Sequence, residues 1–495
     1  MRFARAPLLA LAVVLSCDSK GPAPKPEAKS DAKSEAKSEA KPEAKPDEKP
    51  DASADPTPTG DEPSGPVRVV GTIEVPGTPL EFFAELEAGE PPSGKMSIPA
   101  QGAKDVPLQD VHVSTSELAF ALPNGAKWKG TIGADGKIAC AFEQGGAKLP
   151  CTMEAVDEAA FASAGPKRPQ TPQPPFPYET EDIEWDAGQG VHLAGTITRP
   201  AGEGPHPAIV LVSGSGQQDR DESIMGHRPF AVIADRLARK GIASVRYDDR
   251  GVGKSTGDLD SLTITKEAED AGSALDVLRK ADGIDPARVG ILGHSVGGLI
   301  APMIASERPD DVAFVVLVAG PGVKGTELHA RQVQALLEAQ KAPQAVVDAA
   351  KAGNAAMYAV VEKGGTPEEI EKVLEDAGLS GPALEAQAKM VSSPWFREFM
   401  TMDPKPALEK TKCPVLVLSG DLDLQVVAEQ NVPAIEAALK AGGNTHVATH
   451  TFEGLNHLLQ PAKTGTPDEY GQIETTIDEA ALTELEAWVV AQTKP

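Results

Sequence analysis

From Pro177 to the C-terminus, short uninterrupted apolar runs alternate with amphipathic segments, and this alternation restricts the fold more than any other feature of the chain. The runs are "AIVLVSG", "ASVRYDD", "RVGILGH", "FVVLVAG" and "PVLVLSG". Strands that are apolar on both faces are typical of a parallel sheet covered by helices on both sides. Between them, "RPFAVIADRLARKG" and "ITKEAEDAGSALDVLRKA" carry apolar residues at helical spacing. The sequence therefore predicts a doubly wound α/β sheet.

One connection in this region is unusually long. The chain between "FVVLVAG" and "PVLVLSG" far exceeds one crossover helix, and it contains the helix-compatible segments "ELHARQVQALLEAQ", "QAVVDAAKAGNAAMYAVVEK" and "PEEIEKVLEDAG". We therefore expect an inserted helical cap over about residues 321–411.

Two segments of different composition precede the α/β region. Residues 67–165 contain short alternating stretches such as "VRVVGTIEV" and "ELAFALP" with turn signals between them, which predicts a small antiparallel β-rich domain. Residues 18–66 are repeats of "EAKS", "DAKS" and "EAKP" with recurrent proline and little to bury, which predicts a disordered tether. The proline-rich segment "PKRPQTPQPPFP" marks the start of the α/β domain, residues 166–495.

The N-terminus has the pattern of an export signal. Arg2 and Arg5 precede the apolar run "APLLALAVVLS", which is too short to span a bilayer and suits a secretory signal. The run ends in "VLSC", which resembles a bacterial lipobox. We expect residues 1–17 to be a signal peptide, Cys17 to be acylated as the mature N-terminus, and the protein to be anchored in the bacterial cell envelope; a plain secreted protein cleaved nearby is the alternative.

Export changes how the remaining cysteines are interpreted. Cys140 and Cys151 flank a predicted turn, so in an oxidising compartment they are expected to form a cross-strand disulfide; the alternative is two small buried side chains. Cys413 precedes an apolar run and is expected to be a core thiol.

Charge and motifs exclude several partners. The net charge is −26, from 73 acidic and 47 basic residues, and this surplus would repel nucleic acid. The stretch "GVGKST" has the appearance of a phosphate-binding loop, but that motif needs glycine where this chain has Asp248. We therefore expect no nucleotide and a structural turn from Asp248 to Ser255. The sequence also lacks a His/Cys/Asp cluster with zinc spacing, so no metal is expected.

The segment "ILGHSVGG" fits the G-x-S-x-G nucleophile elbow. Gly293, Ser295 and Gly297 lie between a predicted strand and a helix-compatible run, which is the context that this elbow requires. A serine hydroxyl becomes a nucleophile only when an imidazole removes its proton and a carboxylate orients that imidazole. Downstream, "PVLVLSGDLDLQV" offers Asp421 and Asp423 after a strand, and "THTFEGLNHLLQP" offers His457.

Several segments together resemble the α/β-hydrolase superfamily. The segments "VSGSGQQDRDE", "YDDRGVGKSTGD", "GHSVGG", "SPWFREFMTMDP" and "GLNHLLQ" are similar to a group of bacterial carboxylesterases related to dienelactone hydrolases and serine aminopeptidases. The resemblance implies an α/β-hydrolase fold and a Ser295, Asp423 and His457 triad that acts on small carboxylic esters with short acyl chains, without a cofactor. Asp421 stays open as an alternative acid.

Such a hydrolase also needs two backbone N–H donors for the oxyanion. Val296, directly after the nucleophile, is expected to supply one. The turn "SGSG" is expected to supply the other from Ser215, with Gly216 as the alternative. We expect structural roles for the other histidines near the motifs, which are His294, His446 and His450.

Two further functions remain open at this stage. The triad does not distinguish an ester from an amide, so an exported serine aminopeptidase or acyl-peptidase is one alternative. The other is a non-catalytic, lipid-anchored binding protein that keeps the fold. The aromatic residues Tyr358, Trp395, Phe396 and Phe399 suggest an apolar acyl pocket or, alternatively, helix packing.

Overall fold

A computed structural model describes residues 65–75, 79–99, 103–133 and 137–494 of the chain. The predicted signal peptide, Cys17 and most of the predicted linker lie outside these residues. The chain divides into two compact units, with the division between Ala164 and Gly165.

The N-terminal unit is β-rich, as predicted. Its described strands are β1 (Val67–Ile73), β2 (Leu80–Glu87), β3 (Ser93–Ile98), β4 (Ala103–Pro107), β5 (Gln109–Val113), β6 (Glu117–Ala121), β7 (Lys127–Ile132), β8 (Lys137–Gln144) and β9 (Ala147–Val156). They form one sheet in the order β4-β3-β2-β1-β9-β8-β7-β6-β5, and every neighbouring pair is antiparallel. A short helix, α1 (Glu158–Ser163), follows the last strand.

The alternation of side chains in these strands builds one core. In β7, Trp128 is buried between two exposed lysines, and its ring contacts those of Phe82, Phe120 and Phe142. Burial of side chains of this size contributes about 1.5–3 kcal/mol each. The period of two along each strand therefore specifies which face of the sheet is inside.

Cys140 and Cys151 lie directly opposite each other on β8 and β9. Their Cα atoms are 5.0 Å apart, and their sulfur atoms are joined in a disulfide. Cys413, in the other unit, is a free thiol, and burial raises its pKa to about 11. That thiol therefore stays protonated at neutral pH.

The predicted α/β sheet of the C-terminal unit is confirmed. Within residues 165–494 its strands are β10 (Glu179–Gly188), β11 (Val191–Arg199), β12 (His206–Val212), β13 (Ala243–Tyr247), β14 (Ile284–His294), β15 (Val315–Val318), β16 (Val415–Gly420) and β17 (Val447–Phe452). Their order is β10-β11-β13-β12-β14-β15-β16-β17. Only β10 and β11 run antiparallel to their neighbours, and all the other pairs are parallel.

Helices cover both faces of this sheet. The α-helices of residues 165–494 are α2 (Pro229–Ala238), α3 (Ile264–Lys280), α4 (Gly297–Glu307), α5 (Gly325–Ala339), α6 (Gln344–Glu362), α7 (Pro367–Asp376), α8 (Gly381–Ser392), α9 (Pro394–Thr401), α10 (Lys405–Lys410), α11 (Ala428–Ala441) and α12 (Glu479–Gln492). Strand β15 shows the consequence: Val315 and Leu317 pack into one apolar core, and Val316 and Val318 pack into the core on the opposite face. This two-sided burial explains the uninterrupted apolar runs in the sequence.

Six helices, α5 to α10, lie in the long connection between β15 and β16. The three helix-compatible segments of the sequence correspond to α5, α6 and α7, whereas α8, α9 and α10 were not predicted as separate helices. None of the helices in the described part of the chain is long and apolar enough to cross a membrane.

The cross-strand disulfide gives a direct test of the N-terminal unit. Replacing both cysteines, C140A/C151A, should lower the free energy of unfolding of this unit by about 2–3 kcal/mol, because the separation of 11 residues would no longer be closed in the unfolded chain. Urea unfolding followed by tryptophan fluorescence measures the change. Cys413→Ala is the control and should leave the transition of this unit unchanged. Two alkylatable thiols at Cys140 and Cys151 in the unreduced protein would contradict the pairing.

Candidate active site

Ser295 lies on a sharp turn between β14 and α4. Its backbone is left-handed, with φ of +51°, and its N–H donates to the carbonyl of Val318 over 2.9 Å. This conformation is strained for a residue with a side chain, so the surrounding structure must enforce it. Val296, the next residue, is buried and leads into the first turn of α4.

Two glycines permit this turn because backbone approaches them closely. A Cβ atom at Gly293 would lie 1.9 Å from the carbonyl oxygen of Gly297, and a Cβ atom at Gly297 would lie 2.2 Å from that of Val212. Neither space admits a carbon atom. The pattern G-x-S-x-G is thus a packing requirement of the strand–turn–helix junction.

His457 and Asp423 are hydrogen-bonded to each other in the protein interior. The Nδ1 atom of His457 is 2.9 Å from Oδ2 of Asp423, and both residues are 1% exposed. The second carboxylate oxygen accepts N–H bonds of 2.8 Å from Gln425 and Val426. The carboxylate is held on both sides, so it fixes the plane and the tautomer of the imidazole.

Asp421 has a different environment. It is exposed, and its Oδ1 atom accepts a 2.7 Å bond from the N–H of Gly454. This carboxylate joins the ends of β16 and β17. Of the two candidate acids, it is Asp423 that contacts the imidazole.

Ser295 and His457 line one pocket. Its remaining walls come from the loop after β12 and the loops after β16 and β17. They are Gly214, Ser215, Gln218, Glu222, Ile224, Gln425 and Leu458, and His294 at the end of β14 completes the lining. Ser295 and His457, the predicted nucleophile and base, are far apart in sequence. The topology therefore brings them to the same pocket.

Ser215 and Gly216, the two candidates for the second N–H donor to the oxyanion, differ in position. Ser215 lines the pocket with Ser295, whereas Gly216 lines a neighbouring cavity beside Tyr247 and Asp249. The N–H of Gly214 is already donated to Oε1 of Glu222 over 2.7 Å. The choice between Ser215 and Gly216 as the second donor therefore stays a prediction.

Buried carboxyl groups hold the loop after β12, residues 213–222. The carboxylate of Asp249 accepts bonds from Ser213 Oγ (2.8 Å) and from the N–H of Gln218 (2.9 Å). Burial raises the pKa of Asp249 well above its usual range. Arg220 forms an ion pair of 2.8 Å with Asp248.

The "GVGKST" turn packs against the carboxylate of Asp248, which lies shortly before it in the same loop. Gly253 has φ of +55°, and a Cβ atom there would lie 2.4 Å from Oδ2 of Asp248. The same oxygen accepts the N–H of Lys254 over 3.2 Å. Arg250 forms two bonds with Asp270, of 2.8 and 2.9 Å. The turn therefore directs an amide at a carboxylate of the chain itself.

Glu222 is the residue near the site that the sequence did not single out. It lies in the charged run "QQDRDE", where no periodicity distinguishes one acidic residue from the next. In the structure it is buried and bonds Nδ1 of His294 over 2.8 Å. In the sequence, the only signal of a buried acidic partner was His294, the histidine directly before the predicted nucleophile.

The other histidines have local contacts. The N–H of His446 donates to the side chain of Asn444, and the ring of His450 stacks on Phe452 at 4.0 Å between centroids. Among the residues that the structure describes, no three His, Cys, Asp or Glu side chains are grouped to hold a metal ion.

The aromatic residues of the α5–α10 segment pack within it. Phe396 and Phe399 are buried, Trp395 stacks on Phe399 at 5.3 Å, and the hydroxyl of Tyr358 bonds His329 Nδ1 over 2.6 Å. None of the four aromatic residues lines the pocket that contains Ser295. They therefore serve helix packing.

Comparison with known proteins gives three matches in sequence. Residues 226–461 match the family model described as Hydrolase_4, serine aminopeptidase S33. Esterase EstD of Thermotoga maritima is 31% identical over 321 residues, which cover 64% of this chain and 68% of that protein. The quorum-quenching protein AidA of Acinetobacter baumannii is 31% identical over 145 residues, which cover 29% of this chain and 44% of that protein.

Among solved structures, an esterase of Pyrococcus furiosus aligns with a TM-score of 0.41 at 16% sequence identity. The alignment covers 66% of this chain and 97% of that structure.

The close backbone approach at the elbow leads to a stability prediction. Gly293→Ala should lower the free energy of unfolding of the C-terminal unit by about 3 kcal/mol, because the new methyl group overlaps the Gly297 carbonyl. Thermal unfolding followed by circular dichroism measures this. Gly272→Ala in α3 is the matched control: its Cβ would have its nearest neighbour at 3.7 Å, so its stability should stay unchanged or rise by up to about 1 kcal/mol. Equal stability of the two variants would contradict the packing requirement.

Proposed function

The chain belongs to the α/β-hydrolase superfamily, and we propose that it is a serine carboxylesterase acting on small, short-acyl esters through an acyl-enzyme on Ser295. The observation that carries the proposal is the buried His457–Asp423 hydrogen bond at a pocket that Ser295 also lines. The match to an esterase over most of that protein's length supports an ester as the substrate.

In the proposed reaction His457 is the base. Its Nδ1–H donates to Asp423, which leaves Nε2 to take the proton of Ser295 Oγ. The oxygen then attacks the ester carbonyl carbon. His457 returns the proton to the leaving alcohol, and water, activated in the same way, releases the carboxylic acid and restores Ser295.

The tetrahedral intermediate carries a negative oxygen that needs donors already in place. In the proposal these are the N–H groups of Val296 and Ser215. The first amides of a helix have no partner within the helix, and Val296 leads directly into α4. Such preorganised donors stabilise the developing charge without reorganisation during the reaction.

We propose that α5–α10 act as a cap domain: α9 is anchored to the start of α3, where Trp395 Nε1 donates to Glu267 over 3.0 Å and Glu398 accepts from Thr265. Export and lipid anchoring at Cys17 rest on the sequence pattern alone.

Substitution of the triad tests the mechanism. Ser295→Ala and His457→Gln should each lower kcat by roughly 10⁴-fold or more, and Asp423→Asn by about 10⁴-fold, because the amide favours the wrong tautomer of the imidazole. Asp421→Asn is the matched control and should keep kcat within about twofold, because that carboxylate only caps Gly454. Hydrolysis of p-nitrophenyl acetate measures all four variants.

Active-site labelling separates catalysis from binding alone. A fluorophosphonate probe should modify Ser295 of the folded wild type, and peptide mass spectrometry identifies the modified residue. A folded protein that is not labelled at Ser295 would remove the enzyme proposal and favour the non-catalytic binding protein.

The family model that matches this chain is named for serine aminopeptidases, so a peptidase is a specific alternative to the esterase. We expect turnover of p-nitrophenyl esters with acyl chains of two to six carbons to exceed that of aminoacyl p-nitroanilides. A peptidase would need an acidic group to hold the substrate amine. The pocket beside Ser295 contains one carboxylate, Glu222, and that carboxylate is already bonded to Gly214 and His294. Parallel kcat/KM measurements on both series compare them. Faster turnover of the anilides would replace the esterase proposal by a peptidase.

A further inference from the structure

A buried carboxylate lines the candidate active-site pocket. Glu222 is 4% exposed, and its Oε1 atom accepts two bonds: 2.7 Å from the N–H of Gly214 and 2.8 Å from Nδ1 of His294. Its backbone has φ of +51°, which is uncommon for a residue with a side chain. A buried carboxylate is costly unless it is paired, so these contacts account for its position.

His294 makes a second contact through its other ring nitrogen. Its Nε2 atom is 3.1 Å from the carbonyl oxygen of His457. A carbonyl carries no proton, so Nε2 must donate, and an ionised Glu222 requires Nδ1 to donate as well. With both nitrogens protonated, the ring is an imidazolium.

The electrostatic surroundings agree with this geometry. Burial by itself would lower the pKa of His294, but the charge of Glu222 and its hydrogen bond, together with the His457 carbonyl and the charge of Asp423, outweigh burial and raise the pKa. The other titratable ring that faces His294 is His457, with 4.9 Å between ring centroids. The carboxylates of Glu222 and Asp423 thus both favour the charged form of His294.

This pair connects three separate parts of the site. Gly214 belongs to the oxyanion loop after β12, His294 directly precedes Ser295, and His457 lies after β17. A Cβ atom at Gly214 would lie 3.1 Å from Cβ of Ser295 and 3.4 Å from Nδ1 of His294, so the oxyanion loop lies directly against the elbow. One carboxylate and one imidazole therefore set the distances among all three segments.

We propose that Glu222 and His294 form a carboxylate–imidazolium pair that positions the oxyanion loop and the backbone of the catalytic base against Ser295. Both are positioning residues and act through other groups. The inference deepens the proposed function and rests on it.

The pair has two physical effects. Glu222 takes the N–H of Gly214 out of the pocket, which orients the following peptide so that the Ser215 amide lies toward the oxyanion. The charge of His294 adds a fixed cation close to that oxyanion in a buried region, where electrostatic interactions are stronger than in water. Both effects act on the transition state more than on the bound ester, so they should change kcat and spare KM.

The isosteric variant Glu222→Gln is the central experiment. It keeps an acceptor for the Gly214 N–H and removes the charge that holds the proton on His294. We expect kcat for p-nitrophenyl acetate to fall roughly tenfold, below the ~10²–10³-fold cost of losing a donor outright, with KM within about threefold.

The pH profile separates positioning from a general loss of structure. Because Glu222 raises the pKa of His294, the wild type keeps the imidazolium to a higher pH than a free histidine would and loses it as the pH rises through that raised value. In Glu222→Gln only burial remains, and burial lowers this pKa. The alkaline limb of kcat should therefore move to lower pH in the variant. His450→Gln, an exposed histidine, is the control and should leave the profile unchanged.

A second measurement does not depend on activity. In protein labelled with ¹⁵N-histidine, NMR should show both ring nitrogens of His294 protonated at neutral pH in the wild type and one of them unprotonated in Glu222→Gln. Circular dichroism of each variant checks the fold.

The outcomes are distinguishable. A wild type that hydrolyses esters, with Glu222→Gln at the same kcat and the same alkaline limb, overturns the positioning pair and leaves the proposed function intact. A neutral His294 in the wild-type spectrum overturns it as well. A wild type without ester or amide turnover and without labelling at Ser295 defeats the proposed function, and the NMR spectrum alone then decides the state of the pair.

Discussion

The structure around the candidate site depends on the close contact among β12, β14 and the start of α4. Gly293 and Gly297 allow backbone to approach within distances that exclude a Cβ atom, and the left-handed Ser295 lies between them. The strain of that residue persists only because the packed strands on either side leave it no alternative. The surrounding sheet is buried on both faces, and its rigidity makes the elbow possible.

Around this rigid centre, loops supply the polar groups, and buried carboxyl groups hold the loops. Asp249 accepts the N–H of Gln218 in the loop after β12, Asp248 binds Arg220, and Asp423 binds His457. Each carboxylate has more than one partner, which is the condition under which a charge is tolerated away from water. The loops are therefore ordered by hydrogen bonds, whereas the strands are ordered by apolar packing.

The sequence predicted elements and single motifs better than relations between them. The parallel strands, the helices α2 and α3 and the β-rich first unit follow from periodicity, which is a local property. Helices α8, α9 and α10 were not predicted as separate elements. In α8, the segment "GPALEAQAKMVS" is mostly small and polar, and its apolar face is visible only against α7. The charged run "QQDRDE" showed the same limit: Arg220 pairs with Asp248, and Glu222 bonds His294, both of them distant in sequence.

By itself, the sequence determined the strand–turn–helix context of Ser295, the candidates Asp421, Asp423 and His457, and the failure of "GVGKST" as a phosphate loop, since spacing and residue type are enough for these. Only the tertiary structure decided that Asp423 contacts the imidazole while Asp421 caps Gly454, and that Ser215 faces the pocket while Gly216 does not. The two aspartates are separated by one residue, and only the path of the chain after β16 turns one carboxylate inward and the other toward solvent.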